Sequence, residues 1–307
     1  MRKTLSGLLA LAAWLAPALA WALDLTVQKV TDGVYALVGP YEQRSAENLA
    51  NNATFGVVVT DAGVVLMDPG GSYRGAAAVE TAIRTVTDKP VKLVINTGGQ
   101  DHRWLGNGYF KERGARIVAS ADAVADHKAR TTDHFFMLTN LMGKEALAGT
   151  EAVYADETFD DALDIDFGGA RFEIRHTGAA HTPGDAFVWL PERSVMFTGD
   201  IVYVERMLGV IPVSNTQTWL ESFDAMAARQ PKFIVPGHGP VTDLARARAE
   251  TYDYLTHLRA KVGQVLESGG GENEAVDVDQ SAFAHLKVFD EISRRNALAL
   301  YMQMEFE

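Results

Sequence analysis

Apolar positions along the chain fall into short runs. Residues 34–39 (VYALVG), 54–60 (TFGVVVT) and 64–67 (VVLM) are β-branched and apolar, and Asp61-Ala62-Gly63 and Asp68-Pro69-Gly70-Gly71 interrupt them. Runs of this kind bounded by Gly, Pro and Asp predict antiparallel strands joined as hairpins. Alanines together with Val79, Ile83 and Val86 at helical spacing predict a helix over 75–87, and Lys89-Pro90 then introduces a buried strand from Val91 to Ile95. After a short helix, a strand is expected at 116–119. A polar helical stretch follows in which Phe135, Phe136, Met137, Leu141 and Met142 sit in a loop-like context. Residues 164–168, 170–175, 186–190 and 195–198 are further strands. Leu255, Leu258, Val262 and Val265 mark one face of a helix ended by Gly269-Gly270-Gly271, and a last helix is expected near 280–304. Strands and helices recur in both halves with no linker or short repeat between them. The pattern predicts one α/β domain over 23–307, an αββα four-layer sandwich.

The first residues change that picture at one end. Arg2 and Lys3 precede an apolar run that closes on Ala18-Leu19-Ala20 and Ala20-Trp21-Ala22, the layout of a cleaved signal peptide over 1–22. The run is shorter than the roughly 20 residues of a spanning helix, and no later segment is long and apolar enough to span. The mature protein is therefore expected to be exported without stable membrane insertion, and periplasmic if the source is a Gram-negative bacterium. Cleavage removes two positive charges and takes the formal net charge from −12 to −14. Such acidity disfavours nucleic acid, whose phosphates need clustered cations, and points to a small-molecule substrate. The chain has no cysteine, so stability must come from the core and from bound metal.

Three polar clusters each follow an expected strand: Asp101-His102, Thr198-Gly199-Asp200 and Pro236-Gly237-His238-Gly239. A fourth, His181-Thr182-Pro183-Gly184-Asp185, lies between strands. Carboxylates and imidazoles far apart in sequence converge on one metal when each sits at the same edge of a sheet. The duller readings are an Asp101 that caps the following helix, an Asp200 that bonds to its own turn, and a His181 that only donates a hydrogen bond.

From about Val34 to His238 the order of these fragments resembles the metallo-β-lactamase superfamily. FGVVVTDAGVVLMDPG is similar to its paired opening strands, HTPGD to its third motif, FTGD to its fourth and PGHG to its fifth. The second motif departs: where the family has His-x-His-x-Asp-His, this chain has Thr97-Gly98-Gly99-Gln100-Asp101-His102, so Thr97 and Gly99 stand in for two histidines. The resemblance implies a first metal site reduced to His181 and a second that keeps Asp101, His102 and His238, with Asp200 bridging. One zinc ion per chain is implied, with iron or manganese compatible with the carboxylate share. His176 or His134 is a possible replacement ligand, whereas His127, His257 and His285 are read as surface residues on helices. Gly98 and Gly99 are expected to open space and to permit positive φ.

The implied activity is hydrolysis of a thioester, ester or lactone by metal-activated water, with Asp101 or Asp200 orienting that water. The motifs are closest to the glyoxalase-like branch. INTGGQDHRWLGN resembles periplasmic metallohydrolases associated with sulfur-oxidation and quinoprotein systems. The alternatives are a β-lactamase and a non-catalytic metal-binding or maturation factor of the same fold. Specificity is assigned to loops at 128–150 and 203–219.

Overall fold

A computed structural model describes residues 25–307; the expected signal segment, 1–22, lies outside the described residues. Among them no helix is long and apolar enough to cross a membrane. Among the described residues twelve strands form two sheets. The first holds, in spatial and chain order, β1 (Thr26–Thr31), β2 (Val34–Val38), β3 (Thr54–Thr60), β4 (Gly63–Met67), β5 (Val91–Ile95), β6 (Arg116–Ser120) and β7 (Glu157–Phe159). The second runs β12 (Phe233–Val235), β11 (Val195–Phe197), β10 (Phe187–Leu190), β9 (Ala170–Arg175), β8 (Ala162–Phe167). The α-helices of the described residues are α1 (Tyr73–Arg84), α2 (Asn107–Lys111), α3 (Ala121–Met142), α4 (Thr216–Ala227), α5 (Leu244–Ala247), α6 (Asp253–Glu267), α7 (Glu272–Val276) and α8 (Phe289–Met304).

Strand alternation decides the layering. Val58, Val65, Leu93 and Ile95 from the first sheet meet Phe172, Ile174, Val188 and Phe197 from the second in one buried cluster. The opposite face of the first sheet, with Val57, Leu66 and Val94, packs on Val79 and Ile83 of α1 and Phe110 of α2. On the far side of the second sheet, Trp189 and Met196 join Trp219 and Phe223 of α4, Leu258 of α6 and Leu300 of α8. Helix, sheet, sheet, helix is the expected four-layer sandwich.

Parallel pairing sets where the strand ends point. β4, β5 and β6 run parallel to one another, as do β11 and β12. Parallel strands deliver their C-terminal connections to a common edge. Serines begin two of the connecting helices: Ser72 accepts from Gly75 N ahead of α1, and Ser120 from Ala123 N ahead of α3.

Several elements differ from the sequence expectation. Residues 121–142 form one continuous helix, so most of the loop assigned to 128–150 is helical. Its buried face is built from Val124, His127, His134, Leu138 and Met142, and two histidines at apolar positions hide the helical period. α4 occupies part of the loop assigned to 203–219. The last helix begins at Phe289, and Ser281–Phe283 is a separate 3-10 turn. The edge strands β1 and β7 were not anticipated; β7 has three residues, too few to show an alternation.

Candidate metal centre

The segments that leave β5, β11 and β12 carry the chemistry. Asp101, His102 and Arg103 form a 3-10 turn after β5, Asp200 sits in another after β11, and His238 follows β12 between two glycines. All four of Asp101, His102, Asp200 and His238 are buried. His102 Nε2 lies 3.3 Å from Asp200 Oδ2, and His238 Nε2 lies 3.2 Å from Asp200 Oδ1. The two imidazole rings meet edge to face at 5.1 Å, and one donor atom from each of the three residues lies within 4.8 Å of the others. Ligands of a tetrahedral ion with bonds near 2 Å stand about 3.3 Å apart, so this donor set fits one divalent ion.

Of the five expected donors, these three converge. Asp101 stands behind His102. Arg44 grips its carboxylate from both sides, Nε donating to Oδ2 and Nη2 to Oδ1 at 2.6 Å each, while Asp101 Oδ1 lies 3.3 Å from His102 Nδ1. A carboxylate beside the far nitrogen of a ligating histidine holds the ring's orientation, and Arg44 Nη2 lies 3.2 Å from the same Nδ1. His181 lies apart from the three: its Nδ1 donates to Gly209 O at 2.9 Å, and its ring packs edge-on against Trp219 at 5.7 Å. Burial pushes its pKa down to about 4, so the ring is neutral with Nε2 as acceptor.

Two arginines that the sequence reading passed over control the charge. Arg103 is fully buried; its Nη2 donates to Asp200 Oδ1 at 2.6 Å, its Nε to Asp200 Oδ2 at 3.2 Å and its Nη1 to Asp68 Oδ2 at 2.9 Å. It also donates to the backbone oxygens of Thr54 and Gly237. Burial alone would raise the Asp200 carboxyl, but Arg103 and the two histidines outweigh it and hold Asp200 well below the usual carboxylate range. Arg44 and His102 likewise outweigh burial at Asp101. At Asp68 burial prevails and the pKa is raised despite Arg103 and Thr97.

The positions of the missing histidines are filled. Thr97 donates from N and Oγ1 to Asp68, both at 2.7 Å. A Cβ at Gly98 would run into Asp185 Oδ1, and one at Gly99 into Asp126 Oδ2, which Arg130 holds in place. The glycines therefore serve close approach by carboxylates; neither opens space nor takes a positive φ.

Neither suspected replacement ligand reaches the centre. His176 pairs with Asp185 O at 2.8 Å and lies 3.3 Å from Asp122. His134 is buried beside Trp104. His127 is not at the surface: its ring is fully buried, stacks on Trp104 at 4.5 Å and meets Gly98 O at 3.0 Å.

The family model described as "Metallo-beta-lactamase superfamily" matches residues 50–238, more than half of the chain and all of the donor-bearing loops. The chain belongs to that superfamily. Its members generally bind metal, typically zinc, and are hydrolases. This superfamily chain is similar to a metallo-beta-lactamase type 2 of Elizabethkingia meningoseptica, 24% identical with 78% of this chain and 88% of the relative covered. A metallo-beta-lactamase type 2 of Bacteroides fragilis is 22% identical over 80% and 88% of the two chains. Among solved structures, a metallo-beta-lactamase from Pontibacter korlensis aligns with a TM-score of 0.58 at 23% identity, covering 76% of this chain and 99% of its own. A double mutant of a sec-alkyl sulfatase aligns with a TM-score of 0.70 at 15% identity, over 91% of this chain and 50% of the other. At these identities the two structures speak to the fold alone.

Proposed function

We propose that the chain is an exported hydrolase of thioesters, esters or lactones that holds one divalent ion, zinc by preference, on His102, Asp200 and His238. The observation that carries this reading is the pair of Nε2–carboxylate spacings, 3.3 and 3.2 Å, beside a cavity of about 410 Å³ lined by His102, His238, His181 and Tyr203. An ion held there supplies Lewis acidity toward a carbonyl and lowers the pKa of a water molecule to about 7.

The protein's own groups do the rest. Asp101 Oδ1 at 3.3 Å and Arg44 Nη2 at 3.2 Å both face Nδ1 of His102 and turn its Nε2 toward Asp200, and Arg44 fixes Asp101 in turn. Asp200, kept ionised by Arg103, accepts from the attacking water and orients it. Burial, then Asp200, raises the Tyr203 phenol well above its ordinary value, so it stays protonated and donates to the developing oxyanion. His181 Nε2 accepts from substrate.

Export rests on the basic, apolar and small-residue order of residues 1–22. A β-lactamase is the second reading, favoured by the similarity to two metallo-beta-lactamases over about four fifths of the chain. Elemental analysis joined to a turnover screen of a thioester, a lactone and nitrocefin tests all of this. Close to one equivalent of metal with thioester or lactone turnover is expected. Nitrocefin turnover alone transfers the assignment to β-lactams. Less than about a tenth of an equivalent after growth in metal-rich medium leaves a non-catalytic factor as the reading.

A further inference from the structure

The two histidines of the centre are supported differently. Asp101 and Arg44 face Nδ1 of His102, at 3.3 and 3.2 Å. His238 has nothing of the kind: its ring is buried, and its Nδ1 has no hydrogen-bond partner among the described residues. A ligating histidine almost always donates its far N–H to an acceptor that fixes the ring. The neighbours Gly237 and Gly239 carry no side chain that could help. What lies against His238 instead is the ring of Tyr203, stacked on it at 4.4 Å between centroids and 14° between planes. A face-on neighbour blocks tilting of the imidazole and so aims its Nε2 at Asp200, as a hydrogen bond on Nδ1 would.

Tyr203 is itself positioned from outside the sheets. Residues 202–204 pair with 237–238: Gly237 N donates to Val202 O at 2.9 Å and Val204 N to His238 O at 3.0 Å. Along an extended segment the intervening N–H and C=O point the other way, and at Tyr203 both are taken by one side chain. Thr251 Oγ1 accepts from Tyr203 N at 2.9 Å and donates to Tyr203 O at 2.6 Å. Thr251 is fully buried and stands in a π turn, Arg248–Tyr252, set between α5 and α6. Such turns are rare and, where they occur, often mark functional sites. The residue before Thr251 acts on the same segment. Glu250 Oε2 accepts from Glu205 N at 2.5 Å, and Glu205 has a φ of 59°, a left-handed conformation unusual for glutamate. Two consecutive side chains of the π turn thus hold Tyr203 and Glu205, on either side of Val204. The turn lies beyond residues 50–238, the span matched by the superfamily model.

We propose that Thr251 is a positioning residue of the metal centre: through the backbone of Tyr203 it keeps the phenol ring flat on His238 and so aims an imidazole whose Nδ1 is unpartnered. The inference rests on the proposed metal site for its consequence and not for the geometry of the stack. Without the Thr251 hydroxyl, the N–H and C=O of Tyr203 lose their shared partner, the segment shifts, and the ring slides from His238. Loss of such an outer support costs a metal site about 10- to 100-fold in affinity.

Two measurements on the full chain test this, one without metal and one with it. In zinc-free protein, NMR follows the ring protons of His238, assigned by their loss in His238→Gln; protons held over the face of a tyrosine ring resonate upfield. In zinc-loaded protein, chelator competition gives the affinity. Thr251→Val is expected to move the His238 signals toward ordinary values and to weaken zinc binding about tenfold, and Thr251→Ser, which keeps the hydroxyl, to restore both. Tyr203→Phe keeps the stack and therefore the zinc affinity, although turnover falls with loss of the phenol, whereas Tyr203→Leu loses stack and affinity together. If Thr251→Val does not fold, Thr251→Cys places a weaker donor and acceptor at the same point and should show the same two changes, with a severalfold loss of affinity. Unmoved His238 signals in folded Thr251→Val, moved signals with unchanged zinc affinity, parent affinity in Tyr203→Leu, or failure of Thr251→Ser to restore both readouts overturns the inference. A parent chain whose His238 signals respond as expected but which takes up no zinc defeats the proposed metal centre and leaves the support of His238 by Thr251 and Tyr203 standing.

Discussion

Two neighbouring sets of loop positions, where strands of the two sheets end, have met different ends. At His102, Asp200 and His238 the donor atoms face one another across 3.2 to 3.3 Å, with an arginine behind each carboxylate. At Thr97, Gly98 and Gly99 every position is absorbed by the fold, by hydrogen bonds to Asp68 and by the packed carboxylates of Asp185 and Asp126. The contrast teaches that a lost ligand need not leave a hole. Once the imidazoles are absent, acidic side chains with their own partners occupy the volume, and the change cannot be reversed one residue at a time.

The largest expected effect separates the two stretches outright. His238→Ala should lower bound metal from about one equivalent to near zero by elemental analysis after dialysis, because two donors cannot hold a divalent ion tightly. Retention of a full equivalent would place the ion elsewhere. Next, Arg44→Ala frees Asp101 to swing from His102, and zinc affinity in a chelator competition should fall about 10- to 100-fold. An unchanged affinity would show that Asp101 does not orient the ring.

On the filled side, Gly99→Ala should cost about 1–3 kcal/mol in denaturant unfolding, since its methyl meets a carboxylate fixed by Arg130. Gly99→His paired with Thr97→His should likewise destabilise without raising the metal content toward two. Here the structure answers a question that the sequence leaves open, because the Asp126 carboxylate, held by Arg130, occupies the place of the Cβ that a restored histidine at position 99 requires.

A smaller effect depends on pH. Burial, and then Asp200, push the Asp185 carboxyl up to about 8, whereas in the unfolded chain it titrates near 4. Between those values the folded state holds a proton that the unfolded state has released, so this group's stabilising contribution is complete below pH 4 and is lost as pH rises toward 8. The slope is at most about 1.4 kcal/mol per pH unit. Asp185→Asn should flatten it, so the variant gains stability relative to the parent from pH 5 to 8 in paired thermal melts; parallel curves would refute this. The smallest effect is expected at His181→Ala. Metal stoichiometry should stay near one, since this ring is tethered to Gly209 O and lies apart from the three donors, even where turnover falls.

The central strands and the three strand-exit motifs were legible because each lies within a short stretch of sequence: β3 to β5 come as apolar runs, and Asp101-His102, Gly199-Asp200 and Gly237-His238 each come soon after a strand ends. What escaped depends on contacts between distant residues. Arg44 lies 57 positions from Asp101, in a loop with no motif of its own, and nothing local marks it as the residue that turns a ligand position into a support. Arg103 was closer to hand. An arginine directly after Asp-His and before buried Trp104 and Leu105 has no route to solvent, and that was a signal of a buried ion pair. His127 and His134 misled in the opposite direction, since a polar residue on the inner face of α3 disguises the period by which buried helices are recognised.

The guanidinium of Arg103 has a consequence for assembly. Small zinc domains are unfolded without their ion, because nothing else neutralises the clustered ligands. Here the negative charge of Asp200 is already balanced from below by a cation that belongs to the chain, so the sandwich can close and persist empty. Folding and loading become separate events, and chelation should strip the centre without melting the protein. A chain that folds first and loads later takes its ion from whatever its surroundings supply, so the metal found in a purified sample reports on the growth medium as much as on the ligands.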